Sequence, residues 1–147
     1  MAQRTERKIA DSDYRKLRDF RVGLRQFIRW SEEQATRAGI TPSQHQLLLS
    51  VRASEHPRGP TMGEVAEQLF LKHHSAVELV DRAERAGLVH RAQDLNDHRV
   101  VRLELTDRGA KRLRELSSAH LDELSRIRPS LTALWKGLDE PARVSSR

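Results

Sequence analysis

The residues best placed to do chemistry lie in the stretch DLNDHRVVRLELTDRG, residues 94 to 109. Asp97 and Arg99 are two apart, so on an extended strand both side chains leave one face and the carboxylate can orient the guanidinium. A guanidinium held in this way can grip an anion. The same pair can equally be a surface ion pair worth well under ~1 kcal/mol. Among the seven histidines, His73 and His74 invite a metal reading. Neighbours on a helix point about 100° apart, however, so they cannot share one zinc as residues four apart can, and no H-E-x-x-H supports them. With no cysteine in the chain, disulfides, thiol catalysis, thiol redox sensing and cysteine-ligated zinc are excluded together. Nucleophile elbow, phosphate loop and paired carboxylates are also missing, so neither an enzyme nor a cofactor is expected.

Local signals indicate the elements that must position these groups. Residues 11–38 contain no proline, and Tyr14, Leu17, Phe20, Leu24, Phe27 and Ile28 recur at three- and four-residue steps, which predicts a long amphipathic helix. Gly39 suits a C-terminal cap, and Thr41-Pro42-x-Gln44 a capped restart leading into HQLLLSVRAS. EHPRGP breaks that helix, and Thr61-x-x-Glu64 repeats the capping pattern for a short helix over about Met62 to Phe70. The next helix, SAVELVDRAERAGL, places Ala76, Leu79, Val80 and Ala83 on one face and ends at Gly87; two short helices with a tight joint read as a helix-turn-helix.

Two strand-like runs follow, 88–92 and 98–105, joined by QDLND. Val101, Leu103 and Leu105 alternate with residues that are polar apart from Val100, so these three should dock the hairpin. Thr106 then caps a helix carrying Leu113, Leu116, Leu121 and Leu124, with an interruption expected at Pro129 and a last helical piece around Leu131 to Leu138. The tail DEPARVSSR is expected to fray.

The net charge of +6 and pI near 10.4 suit a polyanionic partner. Yet residues 61–106 carry six Lys/Arg against eight Asp/Glu, so the middle of the chain is slightly acidic. No run approaches the ~20 apolar residues of a membrane span, and MAQRTERKIA lacks the apolar core of a signal peptide, so a cytoplasmic location without membrane contact is expected.

Taken in order, TPSQHQLLLSV, GEVAEQLFLKHHSAVELVDRAERAGLV and above all DHRVVRLELTDRG make the chain resemble the MarR family of bacterial transcription regulators over about residues 11 to 138. The resemblance implies a mainly α fold with a small β-hairpin, a winged helix-turn-helix domain flanked by N- and C-terminal dimerisation helices. Residues 1–147 then form a single domain, with dimerisation helices at 11–38 and 107–138, the winged helix-turn-helix at 41–106 and the wing at 88–105. It also implies a homodimeric, sequence-specific regulator of transcription, a repressor, on pseudo-palindromic double-stranded DNA.

In that reading Arg99, oriented by Asp97, enters the minor groove, where a narrow groove's negative potential favours arginine. The helix over 75–85 enters the major groove, with Ser75, Val77, Arg82 and Arg85 near bases or phosphates, His73 and His74 at the backbone, and Lys72, Arg91 and Arg102 at phosphates. Glu78 is the awkward member: it can accept from cytosine N4, or it can close a capping box on Ser75 and delay the helix start. The resemblance further implies a small aromatic or anionic effector, which Arg21, Trp30, His45 and Arg52 could hold, although a histidine three and four residues before Leu48 and Leu49 is ordinarily a satisfied core residue. Two rivals remain open: an architectural DNA-binding protein without an effector, and an interaction module that kept this fold and lost DNA.

Overall fold

The computed structural model describes residues 8–139. Its elements are α1 (Asp11–Arg37), α2 (Pro42–Arg52), α3 (Met62–Gln68), α4 (His73–Arg85), β1 (Val89–Gln93), β2 (Val101–Leu105) and α5 (Asp107–Asp139). The restarts are set by local bonds: Thr41 Oγ1 accepts from Gln44 N at 3.1 Å while Gln44 Oε1 accepts from Thr41 N at 3.0 Å, and Thr61 and Glu64 repeat the exchange. The chain divides into two compact units, Ser31–His120 and the flanking segments 8–30 with 121–139.

Within Ser31–His120, α2, α3 and α4 bury Leu47, Leu48, Val51, Val65, Leu79, Val80 and Ala83 against Leu88, Val89, Leu103, Leu113 and Leu116. β1 and β2 pair antiparallel with Arg91 opposite Leu103. A short bridge adds Thr61 to Arg102, and Leu103 N donates to Pro60 O at 2.9 Å. Gly59 makes this approach possible. It has φ +86, and a Cβ there would lie 1.9 Å from Leu103 O.

Several boundaries differ from those the sequence predicts. The wing strands are shorter, because side chains capture the backbone of residues 94–100: the Asp94 carboxylate accepts from the amides of Asn96 and Asp97, and Asp94 N donates to Val100 O at 2.9 Å. Leu103 is fully buried and Leu105 partly, but Val101 is 39% exposed. It pairs with Gln93 at the outer end of the ladder, beyond the core, and does not dock the wing. α4 starts at His73 with no side-chain cap, so the Ser75–Glu78 capping box is not formed and Glu78 is exposed. α5 runs without a break through Pro129. Ser125 and Pro129 are both exposed, so water can serve the carbonyl that lacks the proline's missing donor.

In the flanking unit, Phe20 and Trp135 meet at 5.7 Å between ring centroids, and Phe27 and Trp30 stack at 6.1 Å. Much of the apolar stripe on α1 is uncovered: Tyr14 is 61% exposed, and Leu17, Leu24 and Ile28 are exposed, as are Leu121, Leu124 and Trp135 on α5. Among the described residues no helix is long and apolar enough to cross a membrane.

One joint turns tightly without a glycine. α3 ends in a reciprocal cap in which Phe70 N donates to Glu67 O at 3.2 Å and Leu71 N to Ala66 O at 2.8 Å. Phe70 therefore sits at φ +54, a left-handed position costing on the order of 1 kcal/mol for a residue with a bulky side chain.

Candidate nucleic-acid interface

At the wing tip Arg99 sits in a turn, not on an extended strand. Asp97 Oδ1 accepts from the Arg99 backbone N at 3.0 Å and from Nε at 3.1 Å, and Oδ2 accepts from Nη2 at 3.2 Å. One carboxylate thus shapes the turn and aims the guanidinium. These bonds, from the Arg99 side chain first and its backbone second, hold the Asp97 carboxyl below the usual carboxylate range. The Arg99 side chain remains 90% exposed, an oriented cation with open hydrogen-bonding edges.

Arg102 takes the opposite course. Its side chain is 14% exposed, with Nε donating to Asp94 Oδ1 at 2.6 Å and Nη1 to Gly59 O at 3.0 Å. It ties β2 to the wing loop and to the segment before α3, so its expected place at DNA phosphates is corrected to an internal strut. The bond from Arg102 is also the main reason the Asp94 carboxyl falls to about 2, with the amides of Asp97 and Asn96 adding to it.

The acidic middle is largely spent on such struts. Asp81 takes Arg91 at 2.6 Å and Glu84 takes it at 2.8 Å, clamping β1 to α4. Glu104 takes Arg58 at 3.1 Å and His90 at 2.9 Å, and Glu64 caps α3. α4 buries Ala76, Leu79, Val80 and Ala83, as its periodicity requires. Its other face carries His73, His74, Glu78, Arg82 and Arg85 exposed, with Ser75 and Val77 half-buried. Lys72, Arg82 and Arg85 make no ion pair among the described residues. What the middle presents outward is therefore more basic than its composition.

The expected effector residues are divided between the two units. Arg21 and Trp30 belong to the flanking unit, His45 and Arg52 to the winged unit, where they stand two turns apart along α2, roughly 10 Å. Trp30 lines a cavity of about 420 Å³ with Phe27, Ile127 and Leu134. Arg52 lines another, of about 390 Å³, with Arg58, His56 and Arg114 over Val51 and Leu105.

His45 is 4% exposed, its ring 4.8 Å from that of His120. His120 Nδ1 donates to Leu116 O at 2.7 Å, so in the neutral ring Nε2 accepts from the Ser31 hydroxyl at 2.7 Å. The expectation of a satisfied core histidine is half right: His45 is core, but its buried Nδ1 has no partner. Burial, and secondarily His120, push the His45 pKa below its usual 6.5. Because the unfolded ring binds its proton first, the stability tied to neutral His45 is fully present above about pH 6.5 and is lost as pH falls through the lower folded value. Melting temperatures measured from pH 8 downward should therefore decline once pH drops below that point, and the decline should be smaller in His45→Leu; parallel curves would refute it.

Among the described residues no three potential metal ligands cluster. The MarR family profile matches residues 38–100, from the end of α1 through the wing loop. The chain is 28% identical over 100 residues to the HTH-type transcriptional repressor MdtR of Bacillus subtilis, covering 68% of this chain and 63% of MdtR. It is 31% identical over 72 residues to the uncharacterized HTH-type transcriptional regulator YsmB of the same organism, covering 49% of each. The chain thus spans from about half to less than two thirds of the length of these relatives.

Among solved structures, a MarR family protein from Bacillus stearothermophilus superposes with TM-score 0.70 at 26% identity, covering 82% of each chain. The Staphylococcus aureus MepR–DNA complex shares the fold with TM-score 0.60 at 24% identity, covering 76% of this chain and 81% of that one. The fold is thus shared with these structures, and over residues 38–100 the chain is similar to the MarR family.

Proposed function

We propose that the protein is a sequence-specific DNA-binding regulator of transcription, a repressor acting as a homodimer in the cytoplasm. The observation that carries this reading is Arg99, exposed at the wing tip and already aimed by Asp97, on a domain whose neighbouring carboxylates are mostly engaged elsewhere. α4 lies in the major groove, with Lys72, His73, His74, Ser75, Val77, Arg82 and Arg85 toward phosphates and base edges, while Arg99 enters the flanking minor groove. MepR has been solved on DNA and MdtR is named a repressor, which supports the same assignment here.

The exposed stripe on α1 and the exposed Leu121, Leu124 and Trp135 support the homodimer, since a second copy of the same helices would cover them. A small aromatic or anionic effector would suit the cleft rimmed by Arg52, Arg58 and Arg114, with its apolar floor. Footprinting on the DNA flanking its own gene should reveal a protected palindrome with half-sites about one helical turn apart. Affinity should fall steeply with added salt as phosphate-bound counterions are released. A sequence-independent footprint would favour the architectural rival, and salt-insensitive binding would overturn the proposed contacts. Sedimentation at micromolar concentration should give a dimer, and a monomer would remove the two-fold operator model.

A further inference from the structure

Phe70 combines a left-handed backbone with a ring that folding leaves unburied. Its backbone is in the left-handed region, where the C-terminal cap of α3 would ordinarily hold glycine. Its ring is 96% exposed, more than any other large apolar side chain among the described residues. Leu69 and Leu71 on either side pack against the core, so the ring alone is left in water. The two cap bonds hold the left-handed backbone, but the ring itself gains no burial within the chain.

We propose that Phe70 is a DNA-contacting residue whose ring packs on a thymine methyl at the edge of the major groove, beside the first turn of α4. This inference rests on the DNA-binding reading and adds a base preference to it. Phe70 lies two residues before Lys72, the N-cap of α4, so the chain holds its Cα within about 7 Å of the helix start. That end of a recognition helix is the one whose residues meet base edges. The residues that follow, Lys72, His73 and His74, are exposed, and the first turn of α4 has no acidic residue, which suits a phosphate-lined neighbour. A protein partner would need a contiguous apolar patch of a few hundred Å². Phe70 is instead a single ring among Glu67, Gln68, Lys72 and His73, all exposed. An isolated apolar ring set among polar and charged side chains matches the one apolar feature of the major groove, the thymine C5-methyl.

The test begins by selecting the preferred duplex from random DNA with the full-length protein. Phe70→Gly should then melt a few degrees higher than wild type while binding that duplex about five- to twenty-fold more weakly. Phe70→Ala, which keeps a restricted backbone, should lose similar affinity, assigning the loss to the ring and not to a loosened joint. Replacing thymines one at a time by deoxyuridine should weaken wild-type binding about three- to ten-fold at one position per half-site and leave Phe70→Gly indifferent at that position. Unchanged affinity of Phe70→Gly, or a flat deoxyuridine scan with wild type, overturns the proposal while leaving the DNA-binding reading intact. If wild type enriches no duplex, both fall.

Discussion

Gly109→Ala is expected to cost at least about 3 kcal/mol of folding stability and to leave little native protein in mild denaturant. Gly109 is the third residue of α5, and its amide donates to Thr106 Oγ1 at 3.0 Å. Thr106 in turn donates from its own amide to Leu88 O at 3.1 Å and from its hydroxyl to Gly87 O at 2.6 Å. The start of α5 is thereby drawn onto the backbone leading into β1. A methyl at position 109 would sit 2.0 Å from Leu88 O and 2.9 Å from Leu88 C, and both are backbone atoms of a fully buried residue that cannot swing aside. Relief requires separating helix from wing. Gly63→Ala is the control: in α3 a new Cβ would meet only Thr61 Oγ1 at 3.9 Å, and alanine's helix propensity should add about 0.5–1 kcal/mol. Urea midpoints at one protein concentration separate the two outcomes. A Gly109→Ala midpoint within experimental error of wild type would contradict the close approach.

Arg99→Ala should act on the other axis, lowering operator affinity by about ten- to a hundred-fold while folding and dimerisation stay as in wild type. The side chain is almost wholly solvated and its protein partner is the exposed Asp97, so removing it opens no cavity and strips no buried charge. In a narrow minor groove the same guanidinium meets concentrated negative potential and releases counterions. The salt dependence of binding should therefore weaken by about one ion's worth. Asp97→Asn keeps the cation but removes the carboxylate that aims it, so its loss should be smaller. Equal affinities for wild type and Arg99→Ala, measured by fluorescence anisotropy, would favour an interaction module that no longer uses DNA.

What could be read directly were features whose partners are neighbours in the chain. Thr41 with Gln44, Thr61 with Glu64, Thr106 with Gly109 and Asp97 with Arg99 each span two or three residues, and each forms. The last was anticipated for a different reason: an extended strand was expected, but the carboxylate captures the Arg99 amide and makes a turn. The buried face of α4 was equally legible, because a 3.6-residue period is a property of the helix itself.

Arg102 was misplaced because alternation on β2 marks it only as polar and outward. Its actual partners, Asp94 and Gly59, are 8 and 43 residues away. Phe70 was unremarkable in the sequence, since an exposed ring in a left-handed joint looks the same there as a buried one. The effector residues grouped by chemistry fell into two units, and the unpaired Nδ1 of His45 could not be foreseen from its spacing to Leu48.

The order of elements, their caps, the apolar faces and the oriented arginine at the wing tip were determined by the sequence itself, through bonds and periodicities that close within a few residues. Which cations remain free, which acids become struts, where a glycine is obligatory and which apolar surfaces stay uncovered were decided only in the tertiary structure. Each of those depends on an atom brought near from a distant part of the chain, and no local pattern encodes that distance.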